Sequence, residues 1–435
     1  MLVKVDATYN ALYANFNPYP CSETYLEMAN ALTTYFSLLR RAPRYLAYGF
    51  LHFFASSIGQ TFFISLFVLE ITKRMQWAEG TFAYVYSSIT LLAAFLLPQV
   101  GKQIDQIRIR YVSLITALFI AIASFMIAGA NNPIALVVGL FIVRLGGQGI
   151  MPLIGSTTIG RYFTTDRGKA LSLSLIGIPV AEIIIPLLVV WILADYGFST
   201  AWVIAGSIIT AVFIPAVWLL IKKRDAFQTA AATATLQTET EEKVIESWTR
   251  NEVLKDPRFQ VLFPLILFTP FVMTGMMFNQ SIFGEQLTVS AQGLALAISC
   301  YGFARVVCIL FGGSLTDHFG AAALPKYIFI PVLIGLILFA LLQNQWGVFA
   351  FFGLAGITAG IESVVWPALW SERYGPQHLG TIKSTLRVFM VIISAVAPIA
   401  FSLGLRWDMQ LFIWMIIGYL VVGVGLSRIP TGLTR

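Results

Sequence analysis

Residues Gly101-Lys-Gln-Ile-Asp105 are answered 212 positions later by Gly313-Ser-Leu-Thr-Asp317. The same offset carries Arg161-Tyr162 onto Arg373-Tyr374, Gly168 onto Gly380 and Pro186 onto Pro398. One such coincidence is cheap, but four places on one offset mark an internal duplication. The chain is two similar halves, and each half is built from apolar segments of one kind.

Of 435 residues, 58% are hydrophobic and only 11% are charged. A soluble domain carries about 25% charged residues to wet its surface, so lipid is the solvent for most of this chain. A spanning helix needs about 20 mostly apolar residues. Such runs fall at 46–71, 81–103, 111–129, 134–156, 170–193 and 200–221, then at 260–283, 290–313, 326–343, 346–369, 381–404 and 409–427. The segment 222–259 opens Lys222-Lys223-Arg224-Asp225, is rich in Thr, Ala and Glu, and has no long apolar run. The expected fold is an all-α membrane protein of twelve transmembrane helices in two pseudo-symmetric six-helix bundles. Its divisions are an N-terminal tail 1–44, a first bundle 45–221, a connector 222–259, a second bundle 260–427 and a C-terminal tail 428–435.

Lys and Arg gather on the cytoplasmic side of spanning segments. With the N-terminus inside, 22 of the 28 basic residues lie in inner loops and tails, against only Lys73, Arg74 and Arg406 outside. Both termini are therefore expected in the cytoplasm, in a multi-pass protein of the cell (inner) membrane. The first 40 residues lack a signal-peptide core. Tyr25, Leu26, Leu32, Tyr35, Phe36 and Leu39 share one helical face ahead of Arg40, Arg41 and Arg44, the pattern of an amphipathic helix on the inner surface; a disordered tail is the alternative. Cys21, Cys300 and Cys308 form no disulfide framework, and His52, His318 and His378 do not cluster, so neither a metal nor a cofactor is expected.

Two matched helical halves supply the symmetry that alternating access uses, with a solute site near the midplane between them. The chain resembles the major facilitator superfamily over 45–428. Gly101, Asp105 and Arg110 fit that family's pattern G-x-L-A-D-R-x-G-R-K between helices 2 and 3, whereas Gln106, Arg108 and Ile109 depart from it. The second copy keeps Gly313, Leu315, Asp317 and Gly320 without basic residues at its end. The resemblance implies that Gly101, Asp105, Arg110, Gly313 and Asp317 latch one access state, the glycines letting helices approach closely. Arg144-Leu-Gly-Gly-Gln-Gly149 resembles the family's R-x-x-x-G-x-G with its glycines one position early. Arg161-Tyr-Phe-Thr-Thr-Asp-Arg167-Gly168-Lys-Ala resembles the monocarboxylate and oxalate–formate branch.

A charge at the centre of a spanning helix costs on the order of 2.5–3.5 kcal/mol on insertion scales, so such residues face protein or a wet cavity and have partners. Five candidates stand in the spans: Arg144, Glu182, Arg305, Glu362 and Arg387. Arg144 and Glu182 come from consecutive spans at similar depth and are able to pair. Arg305 lies in span eight, where monocarboxylate porters resembling this chain carry a substrate-coordinating arginine. Its planar fork of donors suits a carboxylate, and pairing with Glu362 is the alternative. Arg387 either pairs with Glu362 or meets inner-leaflet phosphates. The surplus of one positive charge favours an anionic solute. Arg305 and Arg144 are thus the anion-contact candidates, and Glu182 and Glu362 the candidate proton carriers. His52, Gln60, Asn279 and Gln280 are polar candidates for the path, each equally suited to bonding between helices. Phe62, Phe63 and Phe67 read as packing or lipid-facing residues.

Gly155-Ser-Thr-Thr-Ile-Gly160-Arg161-Tyr162 imitates a phosphate-binding loop but lacks the Lys-Ser/Thr ending and a preceding strand. No HExxH or GxSxG motif occurs, so no enzyme is expected. The expected function is a monomeric secondary transporter of a small organic anion such as a monocarboxylate, possible as a proton-coupled process. Export of a metabolite, siderophore or drug is the alternative direction, and a transporter-like sensor that moves nothing is the rival class. The +7 net charge reflects the inner loops and implies no nucleic acid.

Overall fold

The computed structural model describes residues 35–78, 80–163, 167–221, 248–375 and 378–428, without the side chains of 102–106, 314, 317 and 379–381. The chain forms two units, Met1–Pro43 and Arg44–Arg435. In the first, residues 35–41 are helical and Arg40 lies 5.2 Å over the Phe36 ring. Cys21 and the rest of the proposed amphipathic segment fall outside the described residues, as do most of the connector and the C-terminal tail.

The second unit is helical, with no strand among the described residues. Among the described residues nine helices are long and apolar enough to cross a membrane, joined by a broken helix, Pro43–Gly59 with Thr61–Met75, bent by 42°. Two of the nine are far too long for one crossing. The stretch Arg167–Leu220 has 54 residues and Ile382–Ser427 has 46, where about 20 suffice. The first folds back at Gly197 (φ 78°) and the second at Asp408, whose carboxylate accepts from Leu411 N–H at 2.9 Å to start the next helix. Counted as four legs, these bring the candidate spans among the described residues to twelve.

In chain order they are α1 (the broken helix), α2 (Thr81–Gln106), α3 (Ile109–Ala128), α4 (Pro133–Tyr162), α5 (167–196), α6 (198–220), α7 (Pro257–Phe278), α8 (Ala291–Phe319), α9 (Ile330–Leu342), α10 (Gln345–Tyr374), α11 (379–407) and α12 (409–427). The duplication is visible in the helix ends: α4 stops at Tyr162 and α10 at Tyr374, 212 residues apart. The imitation of a phosphate loop lies wholly inside α4, in helix.

One hydrophobic core runs through both halves. In the first, Phe63 and Phe67 are buried against Trp202 of α6 at ring distances of 5.3 and 5.0 Å, so they are packing residues. In the second, Trp366, Trp370 and Tyr374 stack along α10 at 5.7 and 6.0 Å, and the Tyr374 hydroxyl donates to Asp256 at 2.9 Å. Among the described residues the halves meet most extensively where α5 packs on α8, α2 on α11 and α1 on α7.

Candidate functional site

The centre of the molecule is set by a break in α1. Gly59 sits against Gly147 of α4 so closely that a side chain on Gly59 would lie 2.5 Å from the Val143 carbonyl oxygen and the Gln148 nitrogen. Two glycines in register allow that backbone contact. α1 leaves the α-helix there, with Gln60 extended, while α4 widens into a π-turn over Arg144–Ile150. Irregular backbone at membrane depth survives only when buried in protein and re-satisfied. Arg144 does this: Nη1 donates to the freed Gly59 carbonyl at 2.7 Å and Nε to Thr90 Oγ1 at 3.1 Å. Its guanidinium lies 4.6 Å over the Tyr86 ring and is 1% exposed. Arg144 and Glu182 do not pair; Arg144 is engaged inside the first half.

Glu182 instead reaches across to the second half. Arg305 Nη1 donates to both of its carboxylate oxygens, at 2.9 and 3.2 Å. The side chains are 6% exposed for Glu182 and 22% for Arg305. The pair sits where α5 and α8 approach most closely. A Cβ on Gly302 would lie 2.7 Å from the Pro179 carbonyl oxygen, and Ser299 Oγ donates to the Ile183 carbonyl at 2.7 Å. Arg305 Nε is buried without a partner and the Tyr301 ring stands 5.9 Å from the guanidinium. Nη1 of the guanidinium is therefore occupied by the protein's own carboxylate.

Glu362 does not pair with Arg305 or Arg387. It is 7% exposed and accepts from Trp366 Nε1 at 3.2 Å within α10. Arg387 makes no ion pair among the described residues and is exposed.

The polar candidates divide. His52 is buried in the first half: Nδ1–H donates to the Tyr48 carbonyl at 2.7 Å, which leaves Nε2 to accept from Ser113 at 2.6 Å. Asn279 is likewise tied to backbone, donating to the Gly275 and Pro398 carbonyls at 2.9 and 3.2 Å. Gln280 bridges the halves, Nε2 donating to Ser65 Oγ of α1 at 2.9 Å, with its buried Oε1 unpartnered. Gln60 is half-buried at the α1 break, with no side-chain hydrogen bond among the described residues.

Of the latch candidates, the side chains of Asp105 and Asp317 lie outside the described residues. Arg110 donates to the Trp218 carbonyl at 2.8 Å and stacks 3.7 Å over that ring, tying α3 to α6. The glycines do not serve close approach. A Cβ on Gly101 would make only an ordinary 3.6 Å contact with Leu153, and one on Gly313 would meet nothing among the described residues. Sequence reading missed Gly302 and Tyr86. Gly302 carried a usable signal, standing one helical turn before Arg305 on the same face; Tyr86 carried none.

The sequence pattern of the Major Facilitator Superfamily matches residues 49–398. Among solved structures, a bacterial homolog of the human lysosomal transporter Spinster, inward-facing and occupied, superposes with a TM-score of 0.65 at 13% identity, covering 89% of this chain and 95% of that one. The nucleoside transporter NupG gives 0.64 at 14% identity over 90% and 99%. At such identities the likeness is one of fold. No curated protein sequence matches the chain.

Proposed function

This chain belongs to the major facilitator superfamily, and we propose that it is a secondary transporter of a small organic anion that works by alternating access around the Glu182–Arg305 seam. The observation that carries the reading is the ion pair itself, a buried carboxylate and guanidinium contributed by opposite halves. A solute carboxylate competes with Glu182 for the arginine fork, whose geometry it matches. A buried carboxylate stripped of its cation is costly, so the displaced Glu182 takes a proton. The entering anion and the proton then cross together without net charge. Glu362 is the second candidate proton carrier. The halves are 45–221 and 260–427, and the connector side is cytoplasmic on the strength of its basic residues. The protein acts as a monomer in the inner membrane.

The test is counterflow in proteoliposomes with radiolabelled lactate, formate and oxalate as probes. Arg305→Ala is expected to abolish exchange while the protein still inserts and folds. Glu182→Gln is expected to keep exchange but lose its dependence on a proton gradient. Full exchange by Arg305→Ala would overturn the role of the arginine. Ligand binding without any exchange would place the protein with sensors.

A further inference from the structure

Where α1 ends and α2 begins, the halves meet over a cleft of about 460 Å³ whose lining includes Lys73, Gly80, Phe82, Phe278 and Ser402. The cleft ends on aromatic rings. Phe82 of α2 stacks on Phe278 of α7 at 5.6 Å, and Tyr86, one turn deeper on α2, packs against the same Phe278 at 4.6 Å. All three are buried, and the Ser65–Gln280 hydrogen bond joins the halves beside them. On the inner side of Tyr86 lies Arg144, whose guanidinium faces the ring at 4.6 Å. The Tyr86 hydroxyl donates at 2.9 Å to Thr61 Oγ1, on the α1 break that Arg144 itself holds. Arg144 has no carboxylate partner among the described residues. Its charge is met by a carbonyl, hydroxyls and an aromatic face, an arrangement strongest where water is excluded.

We propose that Phe82, Tyr86 and Phe278 form the gate that closes the central space to this cleft, and that Arg144 is the positioning residue that holds Tyr86 in the gate. This rests on the transport reading for its purpose, since a gate matters only where a solute passes. It replaces anion contact as the role of Arg144.

The test needs no solute. In a chain with Cys21, Cys300 and Cys308 replaced by serine, Gln60→Cys places one thiol at the α1 break, inward of the rings. A membrane-impermeant methanethiosulfonate is added from either face of proteoliposomes. Reaction from the cleft face is expected to be slow, and to rise about tenfold in Tyr86→Ala, Phe278→Ala and Arg144→Gln, the population shift that follows loss of one such ring contact. Arg144→Lys, which keeps the charge but not the planar fork, gives a smaller rise. Unchanged rates in the two ring variants would overturn the gate, and an unchanged rate in Arg144→Gln alone would overturn the positioning role. If Arg144→Gln does not fold, Ser65→Cys with Gln280→Cys bridged by a short bifunctional thiosulfonate decides the gate. Bridging must suppress labelling of the Gln60→Cys thiol from the cleft face, and reduction must restore it; undiminished labelling of the bridged protein refutes it. Because labelling is independent of any anion, failure of the transport reading would show in counterflow and leave this result standing.

Discussion

Gly302→Ala is a one-atom probe of the seam. The added Cβ would lie 2.7 Å from the Pro179 carbonyl oxygen, 2.9 Å from Glu182 Cβ and 3.0 Å from the Ile183 nitrogen. Two of those atoms are α5 backbone and cannot swing aside. Restoring ordinary contact requires α8 to back away by about 0.7 Å, and overpacking of this kind costs about 1–3 kcal/mol. Alanine also favours helix over glycine by about 1 kcal/mol, so the expected net loss is about 0–2 kcal/mol. The larger effect falls on the ion pair. Arg305 is one turn further along the same face, and the same retreat stretches its 2.9 Å contact with Glu182 beyond hydrogen-bond range. The assay is a double-mutant cycle in thermal unfolding and in counterflow. Glu182→Gln is expected to cost clearly less in the Gly302→Ala background than in the native one, because the two changes share the seam. Strict additivity, with native stability of Gly302→Ala, would refute the claim that the close approach of α5 and α8 sets the pair.

Ser113→Ala removes the donor to buried His52 Nε2 and is expected to cost about 1–3 kcal/mol in thermal unfolding, with substrate affinity unchanged; a selective loss of affinity would return His52 to the solute path. Ahead of α7, the short helix Arg250–Lys255 is capped by Thr249 and Glu252. Bonds from the Thr249 N–H and hydroxyl hold the Glu252 carboxyl below its ordinary value. Since the folded-state value is the lower one, this stabilisation is fully present above the unfolded glutamate value of about 4.3 and is lost as pH falls from there through the lower folded-state value. Amide exchange at Val253 and Leu254, corrected for intrinsic rates, is expected to quicken below that pH in the native chain. In Glu252→Gln the step disappears; a step that persists there belongs to another group.

The glutamates and arginines in the spans stood out from the sequence because charge in lipid is expensive wherever it is placed, yet their partners did not. Glu182 was a candidate partner for Arg144 by adjacency of spans, and Arg305 for Glu362. The structure pairs Glu182 with Arg305, 123 residues apart and in opposite halves. Depth along a helix is legible in sequence, since it follows from counting residues at a fixed rise; rotation about the helix axis and choice of neighbour are not. The same limit explains Arg144, whose partners are a carbonyl freed by an irregular turn and an aromatic ring.

By itself the sequence determined the lipid solvent, the helical class, the position of the crossings and the duplication, because each is a property of composition or of spacing along one chain. Low charge leaves no means of wetting a surface, and an apolar run of fixed length admits one crossing. Only the tertiary structure decided which charges meet, that Gly59 and Gly302 rather than Gly101 and Gly313 mark close approaches among the described residues, and that aromatic rings from both halves pack together at Phe278. Those outcomes depend on distances between segments remote in sequence, and such distances are set by packing, where a shift below one ångström separates a bond from a clash.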